Sequence, residues 1–355
     1  MRHPLGWKLT TLFVMMALSV AAMPQSVTTT RDNPASLTAR ARSQVRQGNL
    51  SEAEQLLSRA LQASPNSPEA NNLFGKLLLD QHRYPEAMDR FETVLATNLR
   101  DIEARKGELA AASALALQAR AAGNQNASLA CLKHARENLP NDPTLLTDLG
   151  IQAHDMKLLD TAHEALAAAL SLKPDDLTAM YAIARVETDQ QHFPAAERHF
   201  RAYLASRPKD ATAHYGLGRL LAMELRNSDA RAEFERSIAL QPVQTESYYE
   251  LGQMALDSRH DAEAEPLFRK VLARDPKHGG ALAGMGILSF RRKDYAGAES
   301  YLAKAVANAP DYQPAHYYYG LTLAHLGKKA QSERELKIAI SLQPSHAMPT
   351  PVEKP

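Results

Sequence analysis

Metal or acid–base chemistry would have to come from the histidines, the cysteine and the carboxylates, and their spacing builds no recognisable centre. Thirteen histidines are present. His163-Glu164 opens the string of a helical zinc site, but Ala167 stands four residues after His163, where a second histidine would have to share the helix face. His192 and His199 lie seven apart with Glu197 nearby, a pairing that helix surfaces often carry without metal. Cys131 is the single cysteine, so no intrachain disulfide can form, and no recognisable histidine partner marks it as a nucleophile; a packing thiol is the expectation. There is no Gly-x-Ser-x-Gly elbow and no glycine-rich phosphate loop. Carboxylates scatter at spacings suited to solvated helix faces and i, i+4 pairs. These patterns point away from an enzyme and imply no catalytic residue, no metal and no cofactor.

The residues with chemistry to offer are tyrosines and arginines that recur at a fixed interval. Tyr181/Arg185, Tyr215/Arg219 and Tyr249/Gln253 follow one another at 34-residue steps, and Tyr317 falls in the same phase. Tyrosine offers a large contact area at low entropic cost, and arginine can pair with a carboxylate or stack on an aromatic ring. The element that repeats them is punctuated by proline: Pro140, Pro174, Pro208, Pro242, Pro276, Pro310 and Pro344 are each 34 residues apart. Within Thr245–His278, Tyr248, Leu251, Gly252 and Ala255 follow helical spacing, and polar Asp257, Ser258 and Asp261 interrupt it. A second apolar stripe runs through Ala264, Leu267, Phe268, Val271 and Leu272, and Asp275-Pro276 stops it. The unit is a helix–turn–helix whose apolar stripes can be buried only by stacking on neighbouring units.

Extending that frame gives nine units near 34–67, 68–101, 102–142, 143–176, 177–210, 211–244, 245–278, 279–312 and 313–346. Their eighth position reads Ala41, Gly75, Ala116, Gly150, Ala184, Gly218, Gly252, Gly286 and Gly320. The twentieth is Ala53, Ala87, Ser128, Ala162, Ala196, Ala230, Ala264, Ala298 and Ser332. The twenty-fourth is Leu57, Phe91, Leu132, Leu166, Phe200, Phe234, Phe268, Leu302 and Leu336. With proline at the thirty-second, this pattern resembles the tetratricopeptide repeats. The resemblance implies an all-α, right-handed α-solenoid of about nine helix–turn–helix repeats, and one continuous domain is expected because no Gly-Ser linker interrupts it. Two units depart from the pattern. The second has Leu99 in place of proline, so its exit turn is less sharply specified. The third is seven residues too long, which fits a lengthened first helix over Glu103–Ala122, closed by Gly123-Asn124, as a tolerated surface extension.

In this family positions 2, 5, 9, 12 and 13 of the first helices face a concave channel that binds peptides or proteins. Carried over, that implies a partner-binding groove containing Asn72, Lys76, Tyr181, Arg185, Tyr215, Arg219, Tyr249, Gln253, Arg291 and Tyr317, with Asp80, Ile287, Phe290, Leu321 and His325 beside them. Ala283 breaks the tyrosine series. His214 and His316 occupy the fourth position, where the family has a packing residue, so a space-filling role is expected. The subtype that clamps acidic carboxyl termini is not matched at Thr38, Arg42 and Leu73.

The ends differ from the array. Arg2, His3 and Lys8 precede an apolar run from Leu9 to Val20, then Val20-Ala21-Ala22, the three-part form of a secretory signal peptide over residues 1–22. The run is short for a membrane span, which needs roughly 20 apolar residues. Residues 23–33 read as a flexible leader and 347–355 as a proline-rich disordered tail. Without Arg2 and Lys8 the balance is 39 basic to 40 acidic residues, which argues against a nucleic-acid partner. Together these features imply a periplasmic or secreted, non-catalytic scaffold for protein or peptide ligands, with no nucleic acid. The alternatives are an envelope or secretion complex subunit anchored in the membrane by an uncleaved N-terminal helix, and a substrate-recruiting accessory subunit of an enzyme.

Overall fold

A proline that ends one helix and a polar residue two positions later that starts the next set the rhythm of this chain. The residue before each of these prolines leaves the helical region, with φ −138° at Lys173, −130° at Arg207 and −137° at Gln241, because the proline ring excludes the helical conformation there. The residue two after it then caps the following helix. Asp142, Asp176 and Asp210 each accept two backbone N–H bonds at 2.9–3.2 Å, satisfying donors that a helix start otherwise leaves unpaired. In later repeats the same station is taken by Gln244, which accepts from the Ser247 N–H at 2.9 Å, and His278, which accepts from Ala281 at 3.1 Å.

The computed structural model describes residues 33–342, which form eighteen α-helices and, among the described residues, no strand. The segments read as signal peptide and leader, with the tail, lie outside the described residues. Two compact units divide between Asn98 and Leu99. The first holds α1 (Pro34–Gln47), α2 (Leu50–Ala63), α3 (Pro68–Asp80) and α4 (Tyr84–Leu95). The second begins with α5 (Ile102–Ala121), α6 (Gln125–Asn138), α7 (Pro143–Asp155), α8 (Leu159–Leu172), α9 (Leu177–Asp189) and α10 (Phe193–Ser206). It continues with α11 (Ala211–Met223), α12 (Asn227–Leu240), α13 (Glu246–Asp257), α14 (Asp261–Arg274), α15 (Gly279–Arg291), α16 (Tyr295–Asn308), α17 (Gln313–His325) and α18 (Lys329–Ser341). Within each unit every helix packs on the next, and alternate first helices also touch. The division falls at the repeat that has Leu99 where the others have proline. There α4 leaves through a helical residue, Ala96 at φ −58°, instead of the non-helical one found before those prolines. The third repeat's first helix spans 20 residues, and the turn after it passes through Gly123 at φ +75°.

The core lies between paired helices, where a small residue meets a large one. A Cβ added to Gly75, Gly218 or Gly252 would come within 2.6–2.8 Å of the Phe91, Phe234 or Phe268 ring, so only glycine admits the aromatic at that depth. The alanines at the twentieth position, from Ala53 to Ala298, are fully buried. Where serine replaces them, its hydroxyl is satisfied: Ser128 donates to Gln152 Oε1 at 2.9 Å and Ser332 to the Gly320 carbonyl at 2.8 Å.

The buried histidines do more than fill space. The His214 ring lies with Nδ1 2.6 Å from Glu233 Oε2 and Nε2 3.2 Å from the Pro208 carbonyl oxygen. His316 repeats this with Glu335 at 2.6 Å and the Pro310 carbonyl at 2.9 Å. Each ring thus ties two helices of its own repeat to the turn of the preceding one. Asn71 serves the Pro65 carbonyl in the same way, at 2.8 Å.

Candidate functional site

The first helices α9 and α11 run side by side, and the positions that alternate with their buried faces carry the tyrosines and arginines. Tyr181 and Tyr215 are half-buried; Arg185 and Arg219, one helical turn further on, are exposed. Tyr181 leans on Phe200 with ring centroids 6.0 Å apart and on Tyr203 at 5.3 Å, and Tyr215 leans on Phe234 at 6.0 Å. The large core residue of each repeat therefore props the tyrosine of its own first helix and holds it in place. All four side chains line one open concavity of about 440 Å³, which also receives His154 and Lys157 from α7 and its turn, Thr188 and Asp189 from α9, and Phe200.

Burial raises the Tyr181 hydroxyl, and pushes Tyr215 up to about 12, so both phenols are protonated donors at neutral pH. Asp189 is the one carboxylate lining the concavity. Its partial burial works to raise it, but hydrogen bonds from His154 Nε2 at 2.9 Å and Lys157 Nζ at 3.5 Å outweigh that and hold it below the usual carboxylate range. Arg185 and Arg219 make no ion pair or hydrogen bond among the described residues. Beyond Arg219 lies Glu250, whose carboxyl burial raises against the opposing charge of Arg219.

The remaining positions of the proposed groove are placed differently. Tyr249 packs at a tilt against His278, centroids 4.7 Å apart, and against Phe268 at 6.3 Å, and its hydroxyl shares a hydrogen bond with Tyr312, so it is committed to the joint with the next repeats. A Cβ on Gly280 would lie 2.6 Å from that hydroxyl. Arg291 is turned into the fold, where it donates to the Leu256 carbonyl at 3.0 Å and pairs with Asp261 at 2.5 Å. Gln253 donates to Asp257 at 2.9 Å. Tyr317 is half-buried against Tyr318, centroids 5.4 Å apart. Half-buried Asn72 and exposed Lys76 sit on α3, in the other compact unit. His154 and Asp189 were missed as lining residues, although they occupy the twelfth and thirteenth positions of their repeats and the same periodicity points to them.

The histidine spacing also resolves into other contacts. Glu197 is held by Arg201 at 2.7 Å and Arg226 at 2.8 Å, and the carboxylate that meets His199 is the nearly buried Glu187, at 2.7 Å, with His163 3.6 Å from its other oxygen. No three His, Cys, Asp or Glu side chains among the described residues converge as metal ligands. No described helix is long and apolar enough to cross a membrane.

Comparison with known proteins agrees with the architecture. No curated protein matches the chain in sequence. Among solved structures, a tetratricopeptide repeat protein from Parabacteroides merdae is similar at TM-score 0.54 and 18% identity, over 67% of this chain and 94% of that one. PilW, a type IV pilus biogenesis factor, is similar at TM-score 0.52 and 20% identity, over 57% of this chain and 94% of its own. The Cut9-Hcn1 structure of the APC/C is similar at TM-score 0.56 and 15% identity, over 90% of this chain and 62% of that one. At these identities the likeness is one of fold. Tetratricopeptide repeat models match residues 44–109 and, in overlapping copies, 181–347, which together take in more than half of the sequence. With the paired helices and the Gly218–Phe234 type of core contact, these matches show that the chain belongs to the tetratricopeptide repeat family.

Proposed function

We propose that this chain is an exported, non-catalytic scaffold that captures polypeptide partners on the first-helix face of its second compact unit. The observation that carries this reading is that Tyr181, Arg185, Tyr215 and Arg219 line a single concavity, with the tyrosines braced from behind by Phe200 and Phe234. Aromatics and arginines are the side chains that most often dominate binding energy: a braced ring loses little freedom when a partner arrives, and a guanidinium adds directional, charge-assisted hydrogen bonds. Export is supported by the basic–apolar–small pattern of residues 1–22.

The test is a photoreactive amino acid in place of Tyr215 in the full chain, expressed in its own cells. A specific partner polypeptide crosslinked there, and not from the same group at exposed Arg259, is the expected result. Equal labelling from both positions, or none from either, overturns the reading. Sequencing the mature amino terminus tests export separately: a start at or near Met23 supports it, and an intact Met1 on membrane-bound chain favours the anchored alternative.

A further inference from the structure

We infer that the concavity between α9 and α11 receives carboxylate groups of an acidic polypeptide segment, with Arg185 and Arg219 as the paired cations; the inference rests on the partner-binding reading above. Both guanidinium groups are exposed and make no ion pair or hydrogen bond among the described residues. Several arginines of these repeats and the next are engaged: Arg201 holds Glu197 at 2.7 Å, Arg226 holds Glu197 and Asp229 at 2.8 and 2.9 Å, and, one repeat on, Arg269 holds Glu265 at 2.5 Å. Arginine in this chain pairs with a carboxylate in many places, and the two that line the concavity form no such pair, although Glu250 feels the charge of Arg219.

The rest of the lining has the same polarity. Asp189, its carboxylate, is already occupied by His154 and Lys157. The hydroxyls of Tyr181 and Tyr215 have no hydrogen-bond partner among the described residues and are protonated at neutral pH, which makes them donors. A surface of two guanidinium forks and two phenol donors, whose one carboxylate is already engaged through Oδ2 by His154 and Lys157, is complementary to carboxylate oxygens, which accept bidentately from a guanidinium. The rings of Phe200, Tyr181 and Tyr215 offer apolar walls to the methylenes that carry those carboxylates. Glu250, one repeat further along, ends the positive stretch, so the acidic part of the partner is expected to lie over Arg185 and Arg219 and stop short of Glu250.

The experiment measures fluorescence anisotropy of three labelled ten-residue probes with the full chain at low salt. They are an alternating Glu–Leu peptide with an amidated end, its Gln–Leu counterpart, and the Gln–Leu peptide with a free terminal carboxylate. The expected result is that the Glu–Leu peptide binds at least about tenfold tighter than the Gln–Leu amide, and that Arg185→Gln/Arg219→Gln abolishes the difference while circular dichroism is unchanged. If the free-terminus peptide alone shows the gain, and loses it in the double variant, the carboxylate recognised is a chain terminus. The inference is overturned if no probe binds, if all three bind alike, or if the double variant keeps the preference. Crosslinking from position 215 that persists in the double variant leaves the scaffold reading standing and removes only the acidic preference.

Discussion

A Cβ built on Gly218 would lie 2.7 Å from the ring of Phe234, sixteen residues on, closer than any real side chain approaches. The pair recurs as Gly75–Phe91 and Gly252–Phe268, so these three helical hairpins close by setting an aromatic edge against bare backbone. Where the small residue is Ala184, the ring of Phe200 lies against Gly216 of the following repeat, where an added Cβ would come within 2.8 Å of it. Gly218→Val is therefore expected to cost about 3 kcal/mol through overpacking. Urea unfolding checks this, and Gly218→Val combined with Phe234→Ala should lose less than the sum of the two single changes.

Six of the nine turns that join the two helices of a repeat, among the described residues, place a side-chain-bearing residue in the left-handed region, among them Leu225 at φ 59° and 82% exposed. Gly48, Gly123 and Gly327 hold that conformation in the other three without a Cβ penalty. Leu225→Gly is expected to stabilise the chain by about 0.5–1 kcal/mol, read as a rise in the urea midpoint at unchanged slope. A fall in the midpoint would mean that Leu225 contributes packing its exposure does not reveal.

The His214–Glu233 bond of 2.6 Å supports an imidazole whose other nitrogen serves the Pro208 carbonyl. Removing the carboxylate alone strands a buried N–H, so Glu233→Ala is expected to cost about 2 kcal/mol. Adding His214→Leu should recover most of that loss, because Leu146 and Leu282 fill the same repeat position and are buried. A double variant as unstable as Glu233→Ala alone would show that the histidine acts by its volume.

Glu250 supplies the pH dependence. Burial raises its carboxyl, so the folded chain keeps a proton there above the ordinary glutamate value of about 4.3. Folding then takes up a proton in that window, stability falls as pH rises through it, and the cost is complete at neutral pH. Glu250→Gln is expected to raise the Tm at pH 7 and to leave it unchanged at about pH 3, where the Glu250 carboxyl is protonated in both the folded and the unfolded chain. Asp148, also raised by burial, titrates in the same direction, so variant and parent are compared at each pH. A Tm difference independent of pH would sink the electrostatic explanation.

What the linear sequence determined is whatever depends on near neighbours and on the 34-residue period. The prolines that end the second helices, the Asp142, Asp176 and Asp210 caps that begin the first ones, and the small–large pairs such as Gly218 and Phe234 are local or periodic requirements, so they are legible one repeat at a time. Tyr181 and Tyr249 look alike on those terms, since both occupy the fifth position. Only the tertiary structure separates them: Tyr312 and His278 arrive from further along the chain to hold Tyr249, while Tyr181 stays on the open wall with Tyr215. Arg291 was drawn to Asp261 for the same reason, and Asp189 was joined to the site by His154 and Lys157. Which side chains remain free to meet a partner depends on contacts made across repeats, and those are set by the stacking of helices in space, which no single period encodes.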